Sequence, residues 1–335
     1  MNRPARLTVL GGGTWGMSLA HVLADAGHAV RVWEYDPAVV EALNRSRRHP
    51  HLPELVIPPE MRFSNDIGEF SRDADAFVCA VPVAHIRQTA QALLKAGYAG
   101  QPVIIGSKGI EQGTHCLTVD MWEQELGAPA RRKMGVISGP SIAKEVILSL
   151  PTAVVAAASD PALMDRIQDL FMRPWFHVFL QPDVIGVELG GALKNVVAIA
   201  CGISDGLGYG DNAKAALMTR GLAEMVRLGV SLGAQAQTFY GLAGHGDMIL
   251  TSVSRHGRNN RFGALLGMGR TPAQAQAEVG QVVEGAYTVR AAVELADKHS
   301  LDMPISRAVH AVLFQGHAPG DVVTALMRRD VKAET

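Results

Sequence analysis

Lys194 is the residue whose setting most demands a chemical explanation. It lies in VELGGALKNVVAIACGISDG (187–206), between Leu193 and Val196, with Gly190 and Gly191 one helical turn earlier. An ammonium in such an apolar run must reach solvent along its stem or meet a partner, and the small residues nearby leave room for a ligand. Lys108, in Gly106-Ser107-Lys108-Gly109, follows a strand-like run ending at Ile105. Ser138-Gly139-Pro140-Ser141 follows another, ending at Ile137, and opens a helix whose backbone N–H groups form a potential anion site. Asp247 closes the glycine-rich segment GLAGHGD (241–247), which also holds His245, and RNNRFG (258–263) supplies the guanidinium groups of Arg258 and Arg261. Positioned lysines suit proton transfer, and arginine forks suit phosphate or carboxylate. Plainer roles exist for each: Lys108 as a surface turn lysine, Ser141 as an N-cap, Asp247 as a cap, Arg258 in a surface ion pair and His245 as a structural or solvated histidine.

These residues need elements to hold them, and the N-terminal stretch 7–36 shows which. An apolar run at 7–10 enters Gly11, Gly13 and Gly16 with the spacing G-x-G-x-x-G; a helical pattern follows to Gly27, a C-cap candidate, and a second β-rich run at 29–33 ends in Glu34. The glycines serve a tight turn, close approach of backbone to a pyrophosphate and close packing of helix on strand, and the helix N-terminus favours the diphosphate. The pattern predicts a dinucleotide site.

Strand-like runs at 76–81, 103–105, 134–137, 152–157 and 176–180 alternate with helical patterns at 37–47, 84–96, 117–126, 142–148 and 161–172. Such alternation specifies βαβ units and a mostly parallel sheet, with ligands at the carboxyl ends of the strands. After Pro182 the period becomes helical throughout, at 184–203, 213–232, 261–266, 286–298 and 306–314, with Thr271-Pro272 as a further helix start. The expected fold class is therefore α/β: a Rossmann-like dinucleotide-binding domain at 1–181, then an all-α substrate-binding and catalytic domain at 182–335. The basic cluster Arg45, Arg47, Arg48 and His49 reads as a solvated loop with a possible hand in holding a cofactor phosphate, and the segments 202–210 and 241–246 read as mobile loops.

Composition limits the remaining function classes. The chain has 335 residues, 48% hydrophobic and 19% charged, the profile of a folded globular protein of two domains. A net charge of −1, from 31 basic and 32 acidic residues, gives no global field toward nucleic acid or an anionic membrane. Cys79, Cys116 and Cys201 lack paired spacing, which argues against a disulfide framework or a zinc knuckle and for a reduced, cytoplasmic setting. The N-terminus lacks the pattern of a signal peptide, and 184–203, although near spanning length, contains Glu188, Lys194 and Asn195 and is expected to be a buried core helix rather than a membrane segment.

The ordered set GGGTWG (11–16), SKGIE (107–111), SGPSIAKE (138–145), VELGGALKNVVAIACGISDG (187–206), AGHGD (243–247), GRNNRFG (257–263) and GQVVEG (280–285) resembles the soluble NAD(P)-dependent glycerol-3-phosphate dehydrogenases. The resemblance covers residues 7–304 and implies reversible reduction of dihydroxyacetone phosphate to sn-glycerol 3-phosphate by NADH or NADPH, for glycerophospholipid synthesis. Carried over motif by motif, it implies Lys194 as general acid/base, with Lys108 and Asp247 at the reaction centre. It implies Gly139, Ser141, Gly257, Arg258 and Asn259, with the same lysines and aspartate, as substrate contacts. Cofactor contacts would come from Gly11, Gly13, Thr14, Trp15, Gly16, Glu34, Tyr35, Lys108, Ala143, Arg258, Val282 and Glu284. No metal is required.

Two positions depart from the family pattern: His245 stands where an apolar residue is commoner, with consequences for loop packing or pH response, and Trp15 replaces a smaller aromatic. Glu34 at the end of the second strand favours ribose hydroxyls over a 2′-phosphate, so NADH is expected over NADPH, a preference tempered by Arg31, Arg45 and Arg47. A homodimer is the expected assembly. Two rival readings are a related two-domain dehydrogenase acting on another small oxo acid or phosphorylated sugar acid, and a catalytically silent NAD(H)-binding sensor.

Overall fold

Apolar, β-branched runs build one sheet of eight strands, in the order β3-β2-β1-β4-β5-β6-β7-β8. The strands are β1 (Arg6–Leu10), β2 (Ala29–Trp33), β3 (Arg62–Ser64), β4 (Ala76–Cys79), β5 (Val103–Ile105), β6 (Met134–Ser138), β7 (Thr152–Ala158) and β8 (Phe176–Leu180). The structure is a computed structural model and describes residues 4–254 and 257–327. Every neighbouring pair is parallel except β6 and β7, which run antiparallel with Gly135 opposite Ala158 and Ser138 opposite Val155. The central strands are buried on both faces, which is why they read as continuous apolar runs rather than alternating ones.

The chain divides into two compact units, Met1–Lys108 with Cys116–Glu188, and Gly109–His115 with Leu189–Thr335. In the first, Leu7, Val9, Leu19, Val22, Ile104, Val154 and Val178 belong to one core in which helices pack on the sheet. In the second, Val196, Ile199, Phe262, Leu266, Val289 and Val309 form a core between helices. Among the described residues the second unit contains no strand. The helix Val184–Gly206 has the length and composition of a membrane span, but most of it is buried inside the protein. This fits its reading as a core helix.

Element types follow the sequence pattern closely. The helix Thr14–Asp25 ends where expected: the N–H groups of Gly27 and His28 return to the carbonyls of Ala24 and Leu23. At Thr271 a full capping box forms, with Gln274 accepting from the Thr271 N–H and Thr271 accepting from the Gln274 N–H. Elements without a sequence signal strong enough to see include β3, only three residues long, the short helices Gly68–Ser71 and Ala236–Phe239, and the helices Asp247–Val253 and Pro319–Met327.

Two local expectations are corrected. The basic cluster is not simply a solvated loop. Arg47 donates to the carbonyls of Pro58 and Met61 and lies over the Phe63 ring, and His49 is 4% exposed. Nor are the two glycine-rich segments of the helical unit plain loops. Gly202 and Gly206 lie within the helix Val184–Gly206, and residues 242–246 form a wide helical turn in which the Gly246 N–H reaches back five residues to the Gly241 carbonyl.

Candidate active site

In the first unit the predicted residues gather at the carboxyl ends of β1, β5 and β6. The turn after β1 is tight because Gly16 has no side chain: a Cβ there would lie 1.9 Å from the Gly11 carbonyl oxygen. At Gly13 a Cβ would meet nothing within 4 Å, and Gly13 is the N-cap of Thr14–Asp25 without any side-chain cap. The first-turn N–H groups are thus presented at an open backbone position, the feature that a pyrophosphate requires. Glu34, just past β2, turns toward this turn and accepts from the Gly12 N–H at 2.7 Å. Tyr35, beyond it, is 80% exposed.

Trp15 joins the turn to the neighbouring strand end by donating from Nε1 to the Gly106 carbonyl at 3.1 Å. Lys108 follows two residues later, with Nζ 5.8 Å from the centroid of the Trp15 ring and donating to the Gly139 carbonyl at 3.2 Å. The same carbonyl accepts from Ser141 Oγ at 3.0 Å, and the Ala143 carbonyl accepts from Ser18 Oγ. Trp15, Lys108, Gly139 and Ser141 are thereby brought together by contacts that no sequence spacing reveals, and Ala143 is tied through Ser18 to the Thr14 carbonyl.

In the second unit Lys194 is buried, 7% exposed, and its partner is Asp247, 2% exposed. Nζ donates to Asp247 Oδ1 at 2.6 Å and to Thr251 Oγ1 at 2.7 Å. The wide turn at 242–246 delivers Asp247 to this point. Its closeness to the lysine helix depends on Gly190, where a Cβ would sit 2.9 Å from the Ala243 carbonyl oxygen. His245 is half-buried in that turn. Thr251 escaped the sequence reading because the short helix carrying it did; its signal is the i, i+4 spacing from Asp247.

Asn259 has its side chain committed within the protein. Nδ2 donates to Asn195 Oδ1 at 2.8 Å, and Oδ1 accepts from the Gly285 N–H at 3.0 Å. Asn195, adjacent to Lys194 in sequence, is a second residue whose connection only the structure supplies. Gly257 is the N-cap of the helix Arg258–Gly267, so the backbone N–H groups of its first turn are what this segment presents to an anion. Arg258 keeps an exposed surface; partial desolvation lowers its pKa, the nearby Glu284 carboxylate opposes that, and the guanidinium remains charged at neutral pH. Glu284 opens the helix Glu284–Lys298, and Val282 just before it is 39% exposed. The described residues contain no cluster of three or more metal-ligating side chains.

The fold and these two clusters define a dinucleotide-dependent dehydrogenase. The N-terminal model of NAD-dependent glycerol-3-phosphate dehydrogenase matches residues 6–164, and the C-terminal model of the same enzyme matches 183–324. The chain belongs to that family. It is 44% identical over 333 residues to a glycerol-3-phosphate dehydrogenase [NAD(P)+] of Lactobacillus delbrueckii subsp. bulgaricus, covering 98% of this chain and 99% of the relative. With the enzyme of that name from Nitratidesulfovibrio vulgaris it shares 45% identity over 330 residues, covering 98% and 100%. The crystal structure of glycerol-3-phosphate dehydrogenase from Coxiella burnetii superimposes with a TM-score of 0.90 at 36% identity, covering 97% of this chain and 99% of that one.

Proposed function

We propose that this chain catalyses the reversible, NAD(P)H-dependent reduction of dihydroxyacetone phosphate to sn-glycerol 3-phosphate and thereby supplies glycerophospholipid synthesis. The observation that carries the reading is the buried Lys194 ammonium, held between Asp247 and Thr251 at 2.6 and 2.7 Å. A bound reduced nicotinamide supplies a hydride to the ketone carbon. The chain's own task is to manage the alkoxide that results: Lys194 Nζ stabilises the oxygen and protonates it, and in the reverse direction the neutral amine removes the hydroxyl proton. Asp247 and Thr251 aim the ammonium and compensate its burial. Proton transfer from a positioned group of this kind is worth on the order of 10²–10⁴ in rate.

Arg258 holds the substrate phosphate as a fork, joined by the backbone N–H of Asn259 in the first turn of the helix Arg258–Gly267; Gly257, the N-cap whose own N–H is spent on the Ser254 carbonyl, lets the phosphate approach the backbone closely. Gly139, Ser141 and Lys108 serve the substrate as well, and Lys108 and Arg258 also contact the cofactor. The turn at Gly11, Gly13, Thr14, Trp15 and Gly16 holds the pyrophosphate, while Glu34 and Tyr35 hold the adenosine ribose and Ala143, Val282 and Glu284 complete the cofactor contacts. NADH is preferred. Glu34 opposes a 2′-phosphate, and two of the arginines that would oppose this preference are engaged: Arg31 with Asp73 and the Phe70 ring, and Arg47 with the carbonyls of Pro58 and Met61, whereas Arg45 makes only an exposed pair with Glu41. The enzyme acts in the cytoplasm as a homodimer, an assembly that sedimentation at working concentration checks.

Absorbance loss at the reduced-nicotinamide band with dihydroxyacetone phosphate tests the reading. Fast turnover that fails with unphosphorylated dihydroxyacetone, and that is more efficient with NADH than with NADPH, is the expected result. Cofactor binding without turnover would point instead to another oxo substrate or to a silent sensor.

A further inference from the structure

The segment from Arg47 to Met61 has no role in the function described so far, yet it is closely built into the first unit. Arg47 pins its far end through the carbonyls of Pro58 and Met61. Its start delivers His49, 4% exposed, to the glycine turn, where Nε2 lies 3.1 Å from the Gly12 carbonyl oxygen. The other ring nitrogen, Nδ1, accepts from the His51 backbone N–H at 3.2 Å. A backbone N–H can only donate and a carbonyl can only accept, so the ring is the neutral Nε2–H tautomer and donates to Gly12.

The consequence lies in the peptide planes of the turn. In a trans peptide the C=O of one residue and the N–H of the next point in opposite directions within one rigid plane. Glu34, accepting from the Gly12 N–H, fixes the Gly11–Gly12 peptide. His49, donating to the Gly12 carbonyl, fixes the Gly12–Gly13 peptide and hence the direction of the Gly13 N–H. Glycines leave these planes free to rotate unless something holds them. One side chain from the end of β2 and one from the segment before β3 do so.

We propose that His49 is a positioning residue for dinucleotide binding: its Nε2–H holds the Gly12–Gly13 peptide so that the Gly13 N–H is aimed before the cofactor diphosphate arrives. The proposal rests on the reading of the glycine turn as the pyrophosphate site. Its effect falls on binding rather than on the chemical step, because His49 contacts the turn and not the reacting groups.

The experiment is a titration of NADH and of ADP-ribose into the wild-type protein and into His49→Leu, His49→Gln and His49→Asn, each checked by thermal melting. Glutamine carries an amide donor at the reach of Nε2, whereas asparagine carries it only as far as Nδ1. The expected result is a Kd for both ligands about tenfold weaker in the Leu and Asn variants, the value of roughly one hydrogen bond, with near-wild-type affinity in Gln and kcat at saturating NADH unchanged. Equal affinities for the Gln and Asn variants, or a fall in kcat with Kd unchanged, would overturn the proposal, and this comparison stands even if the Leu variant does not fold. Failure of the wild-type protein itself to bind NADH or ADP-ribose would instead overturn the dinucleotide reading on which the proposal depends.

Discussion

The glycine turn of the first unit and the lysine cluster of the second reach readiness by opposite means. In the site proposed around Gly11–Gly16 the working groups are backbone N–H groups, and the side chains Glu34 and His49 grip peptides of the turn. In the site proposed around Lys194 the working groups are side chains, and a buried ammonium is balanced by a buried carboxylate and a hydroxyl. A backbone site needs space and orientation, so its cost is conformational. A buried ion pair needs compensation, so its cost is desolvation, and removing one partner leaves a penalty of roughly 3–5 kcal/mol. Damage to the first should therefore appear in cofactor affinity, and damage to the second in turnover and stability.

The sharpest way to break this contrast is Lys194→Ala. Turnover should fall by about 10²–10⁴ while the NADH dissociation constant, read by fluorescence titration, stays within about twofold of wild type; a matching loss of NADH affinity would show that the two clusters do not separate binding from chemistry. Asp247→Asn comes next. Turnover should fall by roughly two orders of magnitude, and the melting temperature should also drop because the Lys194 ammonium loses its charged partner. An active Asp247→Asn enzyme of wild-type stability would remove the compensation argument.

Arg258→Met sharpens the comparison within the second unit. It should raise KM for dihydroxyacetone phosphate about 10- to 100-fold, the worth of a charge-assisted bond, and change the feeble reaction of unphosphorylated dihydroxyacetone far less when both are measured at saturating NADH. Equal effects on both substrates would mean that Arg258 does not read the phosphate.

The smallest effect is one of stability, in the first unit. Glu188 accepts from Thr118 Oγ1 at 2.6 Å and from the Val119 N–H at 3.0 Å, both on Oε1, and so caps the helix Thr118–Leu126. Burial pushes its carboxyl up to about 7, against those two bonds. The folded state then holds a proton that the unfolded chain has released above its ordinary value near 4.5, so stability falls as pH rises between the two values and the penalty is complete above about 7. Glu188→Gln keeps one acceptor oxygen and carries no charge. Its melting temperature should match wild type near pH 5 and exceed it by a few degrees at pH 8; an advantage of the same size at both pH values would show that the carboxyl is not the cause.

How much of this was legible beforehand depends on the range of the interaction. Gly11, Gly13 and Gly16 lie within one turn, so their spacing already describes the object they make. Lys194 was conspicuous for the same local reason, an ammonium in an apolar helix. Thr251 and His49 were not, because each acts across a gap in sequence, 57 residues from Lys194 and 37 from Gly12. Arg47 misled for a related reason: its composition-based neighbourhood suggested solvent, but in three dimensions two carbonyls and an aromatic ring take its charge. Asn259 was legible as a polar residue beside an arginine, whereas its commitment to Asn195 and Gly285 was not.

By itself the sequence determined the periodicity of the longer elements, the switch from alternating strands and helices to helices alone after Pro182, and the glycine turn that precedes Thr14–Asp25. These are local, set by side-chain size, backbone freedom and the burial pattern of adjacent residues. Only the tertiary structure decided which oxygen balances Lys194, which ring holds the Gly12 carbonyl, and where the arginines after β2 spend their charge. Hydrogen bonds and ion pairs act over about 3 Å in space and carry no mark of their separation along the chain.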